Sequence, residues 1–184
     1  MIEKKNKTIL GIDPGSNFMG FGIIEYNKQN LKLIFYDVLI INKSNNQFKK
    51  LKVIFDYCIN IIEKYNPDEI SLESTFFGKN VQSMIKLGRA QGIAISAGIY
   101  KNIPIFEYAP LKIKKALTGR GSSSKEQVAK MVMRFLNTEI KYKYIDCMDA
   151  LAVAICHSMQ NNLFLERSYS SWKDFLNKKN INTR

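Results

Sequence analysis

The stretch TILGIDPGSNFMGFGIIE, residues 8–25, constrains the fold more than any other part of the chain. An apolar run ends on a carboxylate, Asp13, and Pro14-Gly15 follows before a second apolar run begins. A strand over 8–12 carries that acid toward the interior, where an ionised carboxylate is costly unless something neutralises it. Asp-Pro-Gly is also a strong turn signal, and Asp favours turn starts, so the stretch alone fits a plain turn as well as a site. The segment DEISLES repeats the anomaly: a short apolar strand ends on Glu73, and the loop-like STFFGKN follows. Two strands that each deliver an acid at the carboxyl end place both at one rim of a sheet, where α/β sites lie.

The remaining chain alternates strand and helix patterns. Residues 20–26 and 31–41 are rich in Ile, Phe, Tyr and Leu around the polar NKQN, which predicts a hairpin and, with the first strand, an antiparallel meander. Leu51, Ile54, Phe55, Cys58, Ile61 and Ile62 fall at helical spacing, with Pro67 just past the end. A long helix is expected over 80–100. Its interior GRAQGIAISAG is crowded with small residues, which lower helix propensity but allow another element to approach closely. IPIFEYA is a fifth strand, Pro110 opens the short basic helix PLKIKKAL, and TGRGSSS is a loop. Ser123 and Glu126 fit a capping box for the helix EQVAKMVMRFL. A final helix is expected over 145–164. Three consecutive strands followed by helices alternating with two further strands imply an α/β domain with a mixed sheet.

A chain of 184 residues, 46% hydrophobic, supports one domain with a full core. The division expected is a domain over 1–165 and a basic, flexible tail over 166–184. A net charge of +12 points to a polyanionic partner. No apolar stretch reaches the roughly 18 residues of a spanning helix, and MIEKKNK lacks the apolar core of a secretory signal. Cys58, Cys147 and Cys156 are odd in number and spaced unlike any zinc site, which fits reduced thiols in a cytoplasmic protein without a membrane partner.

A third and fourth acid lie in IDCMDALAVAI. Asp146 and Asp149 are three apart at a helix start and share one face, where acids also suit the helix dipole with no further role. Four carboxylates held together raise one another's pKa unless a cation neutralises them. Oxygen-only ligands suit Mg²⁺ or Mn²⁺ rather than zinc. A pair of such ions can activate water and stabilise a leaving 3′ oxygen, which is phosphodiester hydrolysis.

GIDPGSNFMGFGII, SLESTFFGKNVQSMIKLGRAQGIAI, PIFEYAPLKIKKALTGRGSSSKEQV and DALAVAICH, in that order over about residues 8–160, resemble successive segments of the RuvC family of Holliday-junction resolvases. The resemblance implies an RNase H-like fold: a five-stranded mixed sheet, three strands antiparallel and then two parallel, flanked by helices. It implies a homodimer, two Mg²⁺ ions per subunit with Mn²⁺ able to substitute, paired symmetric nicking of four-way DNA junctions in recombination and repair, and a branch-migration helicase as partner. Asp13, Glu73, Asp146 and Asp149 match the family's catalytic acids, Lys114 and Lys125 its catalytic-site lysines, and Phe76 an aromatic that stacks on unpaired junction bases. Between the last two acids this chain has Cys147-Met148 where many members carry small residues, and the tail after Phe164 matches nothing in the family pattern.

Other features weigh less. Lys125 follows a Gly/Ser loop whose backbone N–H groups, with a helix start, can hold a phosphate, although an ordinary capped helix fits too. Lys112, Lys114 and Lys115 fit a solvated face, and the loop aromatics Phe76 and Phe77 fit either an anchor or a stacking platform. Arg120, like Arg89 and Arg134, is a candidate phosphate contact, and His157 reads as a buried structural residue. Rival functions are an RNase H-like nuclease acting on another nucleic acid and a junction-binding module without chemistry. GIDPGS also resembles the first phosphate hairpin of the actin-like and sugar-kinase superfamily, but those proteins need a second related domain that 184 residues cannot supply. The small-residue helix around 88–98 is either a dimer seam, with Ala94 or Ala97 facing outward, or a face packed on the chain's own sheet.

Overall fold

The computed structural model describes residues 6–27, 30–41, 46–75 and 80–166, the last six as backbone only. Strands β1 (Lys7–Asp13), β2 (Phe18–Tyr26) and β3 (Leu31–Ile40) come first. Helix α1 (Gln47–Tyr65), strand β4 (Glu69–Glu73), helix α2 (Val81–Tyr100) and strand β5 (Ile105–Tyr108) follow. Helices α3 (Pro110–Thr118), α4 (Lys125–Phe135) and α5 (Asp146–Glu166) complete the chain. The sheet order is β3-β2-β1-β4-β5. β2 pairs antiparallel with β1 and β3, whereas β4 runs parallel to β1 and β5 parallel to β4. This is the expected mixed sheet, with α2 as the crossover between the parallel neighbours β4 and β5 and α1 carrying the chain from edge strand β3 across to β4.

Side-chain alternation along the strands sorts the core into two layers. Leu10 and Ile12 of β1, Phe21 and Ile23 of β2, and Ile70 and Leu72 of β4 face α1 and α2, against Ile54, Cys58, Ile61, Ala90 and Ala94. The opposite face is covered by α5, which α3 and α4 cover in turn. Ile9 and Ile24 meet Met148, Leu151 and Ile155, and Ile113, Leu117, Val128 and Val132 close the outer side. Because α5 is enclosed on both sides, residues 147–157 are all buried, as expected for a helix that is apolar all round. No helix among the described residues is long and apolar enough to cross a membrane. The three cysteines are buried and unbonded.

Three glycines set how deeply α5 sits. A Cβ at Gly11 would lie 2.0 Å from the Ala150 carbonyl oxygen, and one at Gly20 would lie 2.0 Å from that of Asp146. At Gly22 it would meet the Leu151 side chain at 2.7 Å. Gly11 and Gly22 are register partners, and Gly20 is the partner of Asp13. The β1–β2 hairpin therefore presents bare backbone to α5, and the first turn of the helix rests beside the Asp13 rung.

Two expectations are corrected. The α4 capping box uses Ser124 and Gln127, one residue later than Ser123 and Glu126. Ser123 is buried and its Oγ lies 2.8 Å from Thr118 Oγ1, which closes the loop after α3 and leaves Ser124 as the cap. On α2, Ala94 and Ala97 face inward with Ala90, because Gly98 must pack against Ile70 and Ile105 of the sheet. The outward face carries Val81, Ile85, Gly88, Gly92 and Ile99 instead. Phe76 and the segment 167–184 lie outside the described residues.

The glycine contacts predict a graded mutational response. Gly11→Ala and Gly20→Ala push a methyl against helix backbone and should each destabilise the protein by about 1–3 kcal/mol or more. Gly22→Ala meets a movable leucine and should cost less. Thermal melts of the three variants check this, with the order of melting temperatures as the readout.

Candidate active site

The alternation that faces Ile9 and Gly11 toward α5 also faces Asp13 there, and on β4 it does the same for Glu69, Ser71 and Glu73. β1 and β4 are parallel and Ile12 pairs with Leu72, so Asp13 and Glu73 occupy the next rung, at the carboxyl ends of adjacent strands. The start of α5, let down onto Gly20 and Gly11, brings Asp149 and Asp146 to the same rim. Asp149 is 8% exposed, and Asp146 is partly open. Both strand acids predicted to share a rim do so, and both helix acids join them.

The electrostatics follow from crowding like charges in a partly dry site. Burial raises the Asp13 pKa well above the carboxylate range, and the neighbouring Glu73 and Asp149 raise it further. Burial, then Asp149, pushes Glu73 up to about 7, against the pull of Lys125 and Lys114. Burial also raises Asp149, although Lys125 donates a hydrogen bond to its Oδ2 and opposes the shift. Burial lowers the Lys125 pKa, but that hydrogen bond and the charges of Asp149, Asp13 and Asp146 outweigh it, so the net shift is upward. Lys125 Nζ, with Lys114 adding to it, balances the carboxylates.

Glu73, Lys114, Lys125 and Asp149 line one cleft, walled by Ile113, Val128 and Ala152. The two lysines therefore meet the acids across a gap between α3 and α4 on one side and α5 on the other. Arg120 is exposed in the loop before α4, away from these contacts. The start of α4 is not an open phosphate nest, because Ser124 N donates to Gln127 Oε1 and Gln127 N donates to Ser124 Oγ. Among the described residues, no three His, Cys, Asp or Glu side chains form a ready-made metal cage. The donor set, all carboxylate oxygens whose mutual repulsion raises their pKa values, nonetheless fits a hard divalent cation.

His157 is fully buried, two turns beyond Asp149, as its apolar surroundings in the sequence suggested. Its Nε2 lies 2.9 Å from Glu69 and its Nδ1 lies 2.6 Å from the Tyr108 hydroxyl. Lys7 donates to the same Glu69 carboxylate, 2.8 Å away. The hydrogen bond from His157, reinforced by Lys7, holds Glu69 down at about 2 despite its burial. Tyr108 in turn accepts Ser74 N at its carbonyl, 2.9 Å away, directly after Glu73. One imidazole thus ties α5, β4 and β5 together behind the acids. The parts that sequence reading missed are this tie and the three glycines. A glycine inside a strand pattern marks close backbone approach, and that signal was present at Gly11, Gly20 and Gly22.

Comparison with known proteins agrees with the geometry. The family model of crossover junction endodeoxyribonuclease RuvC matches residues 9–157. The chain is 48% identical over 177 residues to the Bacteroides fragilis crossover junction endodeoxyribonuclease RuvC, covering 95% of this chain and 94% of that one. It is 44% identical to the Porphyromonas gingivalis protein of the same name, covering 96% and 97%. Among solved structures, Thermus thermophilus RuvC superposes with a TM-score of 0.77 at 25% identity, covering 85% of this chain and 96% of that one. The same fold recurs in T. thermophilus RuvC solved in complex with a Holliday junction substrate, with a TM-score of 0.77 at 24% identity. With acids on β1, β4 and α5 at one rim of a mixed sheet, the chain belongs to the RuvC family of crossover junction endodeoxyribonucleases.

Proposed function

We propose that this chain resolves four-way DNA junctions by metal-dependent phosphodiester hydrolysis, as a homodimer making paired symmetric nicks. The observation that carries the reading is the convergence of Asp13, Glu73 and Asp149 on one rim, each with its pKa raised first by burial and then by at least one neighbouring carboxylate. Folding alone does not favour that arrangement. The names of the relatives supply the substrate class. Asp13, Glu73, Asp146 and Asp149 would hold the divalent ions, Mg²⁺ with Mn²⁺ as substitute, two per subunit. Bound there, such ions supply a nucleophilic water at neutral pH and stabilise charge on the leaving 3′ oxygen. Lys125, freed from Asp149, takes a phosphate oxygen as a point charge, and Lys114 does the same across the cleft. Arg120 serves the flanking backbone, and Phe76 serves as the stacking aromatic. The setting is cytoplasmic recombination and repair alongside a branch-migration helicase.

The dimer seam belongs on the outward face of α2. Gly88 and Gly92 have nothing within 4 Å of an added Cβ, and Val81, Ile85 and Ile99 are exposed beside them. Two exposed glycines in mid-helix cost stability in a lone protomer, whereas at a seam they let two helices approach. A C2 pair would set two equivalent sites on one junction. Gly92→Arg should give folded monomers that nick junctions singly and slowly. Sedimentation and product analysis check this, and a wild type that is monomeric both free and on a junction would refute the seam.

Asp13→Asn, Glu73→Gln and Asp149→Asn should each lower cleavage by roughly 10²–10⁴-fold while leaving junction binding largely intact. Wild-type cleavage by Asp13→Asn in Mg²⁺ would refute the assignment. The acids also predict a pH signature. The folded-state pKa of Glu73, about 7, lies above the ordinary glutamate value of 4.5, so its protonated form favours folding. That contribution is full below the lower value and is lost as pH rises through the upper one. Without metal, Glu73→Gln should therefore melt higher than wild type at about pH 8 and no higher at about pH 4. Added Mg²⁺ should raise the wild-type melting temperature most at the higher pH.

A further inference from the structure

We infer a second DNA-contact strip, formed by Phe18, Lys141, Tyr142, Lys143 and Tyr144, on the β2–β3 side of the acids, away from α3. Its occupant is the strand that continues past the cut site. The inference rests on the nuclease reading above and adds a surface to it.

The topology places the strip. Two of the acids end the adjacent strands β1 and β4, and α3 lies toward β5, with Lys112 Nζ 4.9 Å from the Tyr108 ring centroid. β2 and β3 lie on the other side. β2 runs antiparallel to β1, so its first residues stand at the acid rim. Gly20 pairs with Asp13, and Phe18 extends two residues further on the same face. Tyr144 lies two residues before Asp146. Its ring stacks on Phe18, with centroids 4.9 Å apart and an interplanar angle of 29°. Lys143 Nζ lies 5.3 Å from the Tyr144 ring centroid. The Tyr36 hydroxyl of β3 donates to the Lys141 carbonyl, 3.3 Å away, and anchors the segment over the sheet edge.

The composition of the strip fits a nucleic-acid strand. Phe18 and Tyr142 are each 38% exposed, and Lys141 and Lys143 are exposed. Among the described residues neither lysine forms an ion pair. A polymer cut in mid-strand must leave the site on both sides, and this strip sets cationic side chains on the side opposite α3. Basic residues interleaved with aromatic rings are the pattern that tracks a phosphate backbone and stacks on bases or sugars.

The test uses the full-length chain in an Asp13→Asn background, which binds without cutting, with a labelled four-way junction across a salt series. Lys141→Gln/Lys143→Gln should flatten the slope of log affinity against log salt by about 1.4–1.8, the loss of two phosphate contacts. Lys141→Arg/Lys143→Arg should restore it. Phe18→Leu and Tyr142→Leu should weaken binding roughly 5- to 100-fold with the slope unchanged. Wild-type affinity and slope in the double glutamine variant would overturn the strip, and so would aromatic variants that only lower the melting temperature. Cleavage by the protein with Asp13 restored reports separately on the nuclease reading. If it binds but does not cut, that reading fails and the salt slope still decides the strip. A protein that binds no DNA overturns both.

Discussion

The site depends on one contact, the seating of α5's backbone directly on the backbone of β1 and β2. Gly11 and Gly20 each leave space that the carbonyl of Ala150 or Asp146 fills. A side chain at either position would lift the helix, and Asp149 would no longer share a rim with Asp13. The burial of residues 147–157 follows from the same seating, because a helix pressed onto a sheet and covered by α3 and α4 has no polar face to spare. The position of the clustered carboxylates is thus a packing result before it is an electrostatic one.

The electrostatics then run against folding. Asp13, Glu73 and Asp149 repel one another where water is scarce, and all three are held in reach by elements fixed elsewhere. Lys125 relieves part of this by bonding Asp149. In the mechanism proposed above, Lys125 has only to change partners, from Asp149 to a phosphate. Its place at the first position of α4, beside the Ser124–Gln127 cap, gives it a firm base from which to do so.

Much of this was legible in the chain. Asp13 and Glu73 announced themselves as charges ending apolar runs, and the strand pattern gave the antiparallel meander and a mixed sheet, while the strand order was not readable. Asp146 and Asp149 were visible by spacing alone, but their approach to Asp13 was not, since it rests on glycines whose meaning depends on which helix covers them. The cap at Ser124 rather than Ser123 was hidden because both serines satisfy the local pattern, and only the bond between Thr118 and Ser123 separates them. The inward turn of Ala94 and Ala97 was likewise a tertiary fact. A stripe of small residues looks the same in sequence whether it meets the chain's own sheet or a second copy. The partners of His157 come from strands far away in sequence, so its burial could be read and its hydrogen bonds could not.

The tie made by His157 has a consequence for motion. It pins the far half of α5 to β4 and β5, while the glycine contacts pin the near half to β1 and β2. The carboxylates therefore ride on the part of the molecule that should open last in native-state hydrogen exchange. The lysines ride on α3 and α4, an outer layer joined to α5 through side chains. In the mechanism proposed above, the anionic groups would hold still as a strand arrives and the cationic ones would adapt. That mechanism would assign fidelity in placing the cut and tolerance toward the shape of the substrate to different layers of one small domain.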